Sequence, residues 1–246
     1  LSHRLVAHRG YQRLYPENTL LALSKAIEVG AHFIELDIQF TADHVPVLYH
    51  DSLMDRVSGR HEVIANLTLE QAMAYPAYEP LRLGDQFKAE TIGTLSGLVT
   101  LLEQNLAVNA FIELKTEAIE FLGIEHSYEV IAEVLKPVTK QCILISFHPQ
   151  FIQYAKQQEK YRTGIVATVF ADLTSLATKQ LQPDFVFVDK TLLPEGDLRD
   201  YPFTTVVYEV DQPAEARQLY DRGVDMVETF DLGGLLKGLD EIRCNG

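Results

Sequence analysis

Two carboxylates stand two residues apart inside the apolar run Phe33-Ile34-Glu35-Leu36-Asp37-Ile38, and strand alternation places both on one face. Burying such a pair without partners is costly, and a hard divalent cation relieves both the desolvation and the repulsion. The run Phe111-Ile112-Glu113-Leu114-Lys115 repeats the arrangement, with Glu113 and Lys115 on a common face. Glu35, Asp37 and Glu113 would make an oxygen-rich site suited to one divalent cation, Mg2+ or Ca2+. The same side chains with Lys115 would serve equally as a structural ion-pair cluster, and on these residues alone the two readings stand level.

The histidines tip the balance. His8 ends the run Leu5–His8 and is followed by Arg9-Gly10, which sets an imidazole and a guanidinium beside a glycine turn. His50 ends a short run from Val45 and precedes Asp51, a carboxylate able to orient an imidazole as a general-base partner does. A lone histidine is more often structural than catalytic, but two at strand ends beside Arg9, Lys115 and three carboxylates suit displacement at phosphorus. A cation with Arg9 and Lys115 would neutralise the phosphate oxygens, one imidazole would take a proton from the attacking oxygen, and the other would protonate the leaving alkoxide. His3, His32, His44, His61, His126 and His148 lack this company and are expected in loops, caps or helix starts. No two of these six stand three to five residues apart, which argues against a zinc site.

Such a site needs a scaffold that gathers strand ends. Eight apolar, β-branched runs recur, at Leu5–His8, His32–Phe40, Ala110–Lys115, Cys142–Phe147, Gly164–Phe170, Phe185–Asp189, Thr204–Val210 and Met226–Phe230. Helical periodicity fills most gaps, at Asn18–Val29, Leu95–Gln104, Tyr128–Leu135, Pro149–Glu159, Leu173–Leu181 and Ala214–Arg222. Gly30 and Gly223 are placed to stop helices, and Ser127 and Asp172 to cap them. The link Lys190–Pro202 is short and proline-broken, so one helix is expected to be missing or reduced to a turn. Strands alternating with helices predict an α/β fold, a (β/α)8 TIM barrel with a small insertion after the second strand. That insertion covers about residues 41–94, where the rhythm fails, and the expectation is a single domain over residues 1–246 with this stretch over the face where barrel active sites are built.

Composition agrees. The chain has 246 residues, 47% of them apolar, two cysteines and no tryptophan. This is near the ~250 residues of one such barrel. A net charge of −14 disfavours nucleic acid as a partner, and it also demands that any small anionic substrate meet a local cation or placed basic groups. No apolar run reaches the ~20 residues of a membrane span. Cys142 and Cys244 lack metal or redox spacing and read as reduced thiols of a cytoplasmic protein, although a removed leader is compatible with a chain beginning Leu1-Ser2-His3-Arg4.

Taken together, Leu5-Val6-Ala7-His8-Arg9-Gly10, Pro16-Glu17-Asn18-Thr19, Glu35-Leu36-Asp37, Pro46-Val47-Leu48-Tyr49-His50-Asp51 and Ile112-Glu113-Leu114-Lys115 strongly resemble the glycerophosphodiester phosphodiesterase family. The resemblance runs through essentially the whole chain. It implies a TIM-barrel hydrolase that cleaves glycerophosphodiesters to sn-glycerol 3-phosphate and an alcohol, acting in lipid and glycerol metabolism as a monomer or homodimer. It implies that His8 and His50 are the acid/base pair, that Glu35, Asp37 and Glu113 hold the metal, and that Arg9 and Lys115 contact phosphate. Glu17 and Asn18 match a motif that shapes the rim, where Glu17 would equally favour a helix start. Ser146-Phe147 matches a pair lining the glycerol pocket, and Phe147 would equally serve as barrel packing. Near the C-terminus the chain departs from the pattern. It has Tyr208-Glu209-Val210-Asp211 where members commonly show Trp-Thr-Val-Asn, so Tyr208 is expected to stand in the substrate pocket in place of that Trp, and it has Thr229-Phe230-Asp231-Leu232 where Thr-Asp-x-Pro is usual. The departures open two alternatives, a different phosphodiester such as a lysophospholipid or glycerophosphoinositol, and a catalytically silent barrel that binds a glycerophosphate.

Overall fold

The computed structural model describes residues 2–169, 180–199 and 201–245. Eight parallel strands close on themselves. They are β1 (Leu5–Ala7), β2 (Phe33–Phe40), β5 (Asn109–Leu114), β6 (Cys142–Ser146), β7 (Arg162–Ala167), β8 (Phe185–Asp189), β9 (Thr204–Tyr208) and β10 (Met226–Thr229), with β1 pairing both β10 and β2. Two further short strands, β3 (Pro46–Leu48) and β4 (Gly93–Thr94), extend β2 antiparallel at the barrel's edge. The fold is the expected (β/α)8 barrel.

Helices fall largely where the periodicity puts them. Thr19 caps α1 (Leu20–Glu28) by accepting from the Ala22 N–H, and Thr94 caps a nine-residue helix, Leu95–Glu103, in the same way. His148 caps the helix Pro149–Gln157 through Nδ1, so one of the six secondary histidines is a cap as expected. Gly30 and Gly223 take up left-handed backbone after α1 and after the helix Pro213–Asp221. Ser127 corrects the expectation. It lies inside the helix Ile124–Val134, buried, with an unpartnered Oγ, because Gly123 ends the preceding helix Thr116–Leu122 and lets the next begin four residues earlier than the apolar periodicity suggests. Only a 3-10 turn, Lys190–Leu192, follows β8 among the described residues before Pro202, which matches the short link. Phe170, Asp172 and most of the expected helix Leu173–Leu181 lie outside the described residues.

Burial follows the two periodicities. Alternate strand residues meet inside the barrel, where Phe111 packs edge-on against Phe185 and Phe187, each at 5.0 Å, with Val6, Ile143, Val206 and Met226 around them. The opposite strand faces pack on the helices in one large apolar cluster. Residues 41–94 have a small core of their own around Tyr49, Met54, Val57 and Ile64, seated beside the C-terminal end of β2. They hold α2 (Asp55–Ser58), α3 (Leu69–Met73) and α4 (Pro80–Leu83), all short. No helix among the described residues is long and apolar enough to cross a membrane.

Candidate active site

Above the apolar layer of the barrel, the inward positions turn polar. Register pairs Asp37 with Glu113 across β2 and β5, and Val6 with Glu228 across β1 and β10. Oxygen atoms of Glu35, Asp37 and Glu113 all lie within 4.8 Å of one another, and all three residues are buried. A cavity of about 140 Å3 opens here, lined by His8, Arg9, Glu35, His50, Glu113 and Lys115 on its polar side. Phe147, Phe187 and Tyr208 form much of its apolar side. The structure thus brings eight of the eleven anticipated residues to one pocket. Asp37, Glu17 and Asn18 stand behind it rather than in its wall.

His8 follows β1 and is 8% exposed, with its ring stacked on Phe230 at 4.8 Å. Nε2 lies 3.8 Å from Glu35, and Nδ1 lies 3.6 Å from Glu209 without a hydrogen-bond partner. Burial, and then the Arg9 charge, hold this imidazole well below its ordinary pKa, so it is neutral at pH 7. The turn that follows depends on Gly10, whose φ is +84° and where a Cβ would sit 2.5 Å from the Ala22 carbonyl carbon.

His50 sits at the inner end of the insertion. Its carbonyl accepts from Gln39 Nε2, and its Nδ1 is 2.6 Å from Asp51 Oδ1. Asp51 in turn accepts from Arg56 at 2.9 Å. Although burial opposes ionisation, hydrogen bonds from His50 and Arg56 keep the Asp51 carboxyl far below the usual carboxylate range.

The fixed cations are engaged by carboxylates. Arg9 donates from its backbone N–H to Glu35 and from its guanidinium to Glu17, and its Nε lies 3.0 Å from Asp37. Lys115 donates to Glu113 at 2.7 Å, lies 3.4 Å from Asp37, and stands 5.6 Å from the centre of the Phe147 ring. Burial alone would lower the Lys115 pKa, yet Asp37 and Glu113 push it up to about 12. Asp37 is buried too, but Arg9 and Lys115 keep it ionised. Glu35 and Glu113 go the other way, because burial and the neighbouring Asp37 charge raise both pKa values. Glu35 Oε1 has no hydrogen-bond partner although it is buried. An all-oxygen donor set with an unsatisfied buried oxygen suits a hard divalent cation.

Sequence comparison decides the family. The sequence profile of the glycerophosphoryl diester phosphodiesterase family matches residues 8–231. The chain belongs to that family. By class it is a glycerophosphodiester phosphodiesterase, a hydrolase on a TIM barrel. A glycerophosphodiester phosphodiesterase of Caldanaerobacter subterraneus subsp. tengcongensis is 28% identical over 240 residues, covering 92% of this chain and 93% of the relative. Mouse glycerophosphodiester phosphodiesterase 1 is 34% identical over 157 residues, which are 63% of this chain and 46% of that longer protein. An Oleispira antarctica phosphodiesterase, solved with the product sn-glycerol-3-phosphate, superposes with a TM-score of 0.84 at 21% identity over 96% of both chains, and so shares the fold.

Three supporting residues were not anticipated. Arg56 binds both oxygens of buried Glu17 at 2.7 Å, and Gln12 adds a third donor, so Glu17 clamps Arg9 and Arg56 rather than capping a helix. Asn18 pins Asp37 from both sides, donating Nδ2 to its carboxylate and accepting its backbone N–H. Glu228 reaches the pocket from β10. Its place two residues after inward Met226 is the signal that could have found it. The C-terminal departures also resolve. Asp211 accepts from Thr229 Oγ1 and the Phe230 N–H, and Asp231 accepts from the Gly234 N–H and Tyr11. Both acids brace the end of β10 outside the pocket wall.

Proposed function

We propose that this chain hydrolyses glycerophosphodiesters to sn-glycerol 3-phosphate and an alcohol, with His8 and His50 as the acid/base pair and one divalent cation held by Glu35, Asp37 and Glu113. The observation that carries the reading is the convergence of two imidazoles from different elements, two fixed cations and an unsatisfied carboxylate oxygen on one small cavity. A divalent cation there supplies charge neutralisation to a phosphodiester in an otherwise acidic pocket.

The residues divide the remaining work. Lys115 and Arg9, held by Asp37, Glu113 and Glu17, offer fixed positive charge to the phosphate oxygens. His8, neutral and with an unpartnered Nδ1, is ready to accept a proton. Asp51 fixes the tautomer and orientation of His50, so that its Nε2 exchanges a proton with the oxygen on the opposite side of phosphorus. Phe147 and Tyr208 give the glycerol or alcohol group an apolar wall. The unpaired Cys142 and Cys244 suit a cytoplasmic setting. The decisive assay measures glycerol 3-phosphate released from glycerophosphocholine and glycerophosphoethanolamine with Mg2+, Ca2+ or EDTA. Turnover with a divalent ion and its loss in EDTA is the expected result. No turnover on any glycerophosphodiester with any metal refutes the reading.

A further inference from the structure

The cavity carries more carboxylate than the cations named so far can balance. Arg9 and Lys115 pair with Glu17, Asp37 and Glu113, while Arg56 pairs with Glu17 and Asp51. Glu228 is 3% exposed, has no cation within ion-pair distance among the described residues, and its Oε1 has no hydrogen-bond partner. Its nearest company is specific. Strands β10, β1 and β2 are neighbours, and they place Glu228, His8 and Glu35 side by side with one donor atom from each, all within 4.8 Å of one another. All three residues are more than nine-tenths buried, and His8 Nδ1, Glu35 Oε1 and Glu228 Oε1 are each without a hydrogen-bond partner.

We propose that His8, Glu35 and Glu228 form a second cation site, taking a borderline divalent ion such as Mn2+ or Zn2+, with Glu35 bridging it to the site of Glu35, Asp37 and Glu113. One imidazole nitrogen with two carboxylate oxygens selects for such an ion over Ca2+ or Mg2+, in contrast to the all-oxygen set beside it. Donor sets that share a carboxylate put two ions at the few-ångström spacing of two-metal phosphoryl-transfer sites. The consequence follows from His8. An imidazole lone pair committed to a metal accepts no proton, so filling the second site silences the reaction that the first site supports. The enzyme would therefore work in Mg2+ and be shut by Mn2+ or Zn2+ in excess. This consequence rests on the proposed role of His8, whereas the site itself does not.

Metal-free protein titrated with Mn2+ separates the two. Equilibrium dialysis should give two Mn2+ per chain, with an exchange-coupled electron paramagnetic resonance spectrum from carboxylate-bridged ions. Glu228→Gln and, independently, His8→Gln should each bind one ion and lose the coupling while keeping the wild-type circular dichroism spectrum. In the Mg2+ assay, the Zn2+ concentration that halves the wild-type rate should rise in Glu228→Gln. Loss of a neighbour to a metal-bound imidazole costs about 10–100-fold in affinity, so loss of a direct ligand should shift the midpoint at least ~10-fold. One Mn2+ per wild-type chain, or two in both variants, overturns the second site and leaves the proposed function standing. Two coupled ions in a wild-type protein that hydrolyses no glycerophosphodiester overturns the function and leaves the site standing.

Discussion

His8 belongs to the barrel wall and His50 to the insertion, and the two regions hold an imidazole by different physics. The wall buries its histidine against Phe230, leaves Nδ1 without a hydrogen-bond partner, and makes charge unfavourable by desolvation. The insertion leaves its histidine side chain 31% exposed and fixes it through a chain of charge-assisted contacts running from Glu17 through Arg56 and Asp51. A closed barrel can exclude water but has few free side chains with which to orient a ring. A short polar segment with its own core can orient a ring but cannot dry it. On the proposed assignment, the acid/base pair combines one ring of each kind, drawn from different parts of the chain.

Removing either ring is the strongest way to break this contrast. His8→Ala and His50→Ala should each lower kcat by roughly 10²–10⁴-fold, the usual worth of general acid/base catalysis. A wild-type rate in both would end the assignment. The orienting contacts come next. Asp51→Asn keeps the ring in place but changes its Nδ1 partner, and kcat should fall by about 10–100-fold, as for other carboxylates that orient histidines. No change would show that the insertion does not position His50 through Asp51.

Smaller effects lie in stability. Arg56→Ala removes charge-assisted hydrogen bonds to buried Glu17 and should cost about 1.5–3 kcal/mol in urea unfolding, softened because Arg9 and Gln12 remain. In EDTA, Glu228→Gln should instead stabilise the protein at pH 7. Burial raises the Glu228 pKa well above 4.5, so between that value and its native one the folded state binds more protons than the unfolded chain, and wild-type stability falls as pH rises. The gain in Tm should therefore grow from about pH 4.5 upward and vanish below it. A constant gain at every pH would point to packing rather than charge.

The barrel was legible because alternating β-branched runs and helical gaps are local signals, and so were the paired carboxylates Glu35 and Asp37, whose i and i+2 spacing survives in the strand. His8 and His50 were legible as a pair only beside their charged neighbours. What escaped was tertiary. The clamp of Glu17 on Arg56 spans thirty-nine residues and has no local pattern, and the pinning of Asp37 by Asn18 likewise joins a loop to a strand. Ser127 misled because a serine before an apolar run resembles a cap wherever it falls, while the real boundary lay at Gly123. Glu228 stood in view yet unread, since an acid in a short apolar run carries no meaning until its strand is known to face the pocket.

One feature of β2 ties the two regions together. Near its middle Glu35 lies against His8, and toward its end Gln39 holds the carbonyl of His50 while β3 pairs alongside. The separation of the two rings is therefore measured along a single strand, as on a ruler. On the proposed assignment, the path of the proton across the substrate is set before anything binds, with no closing segment needed to bring the rings into reach. Changes on β9 and β10 would then alter which alcohol is accepted without altering that distance, because Tyr208, Glu209 and Glu228 line the side of the cavity away from β2.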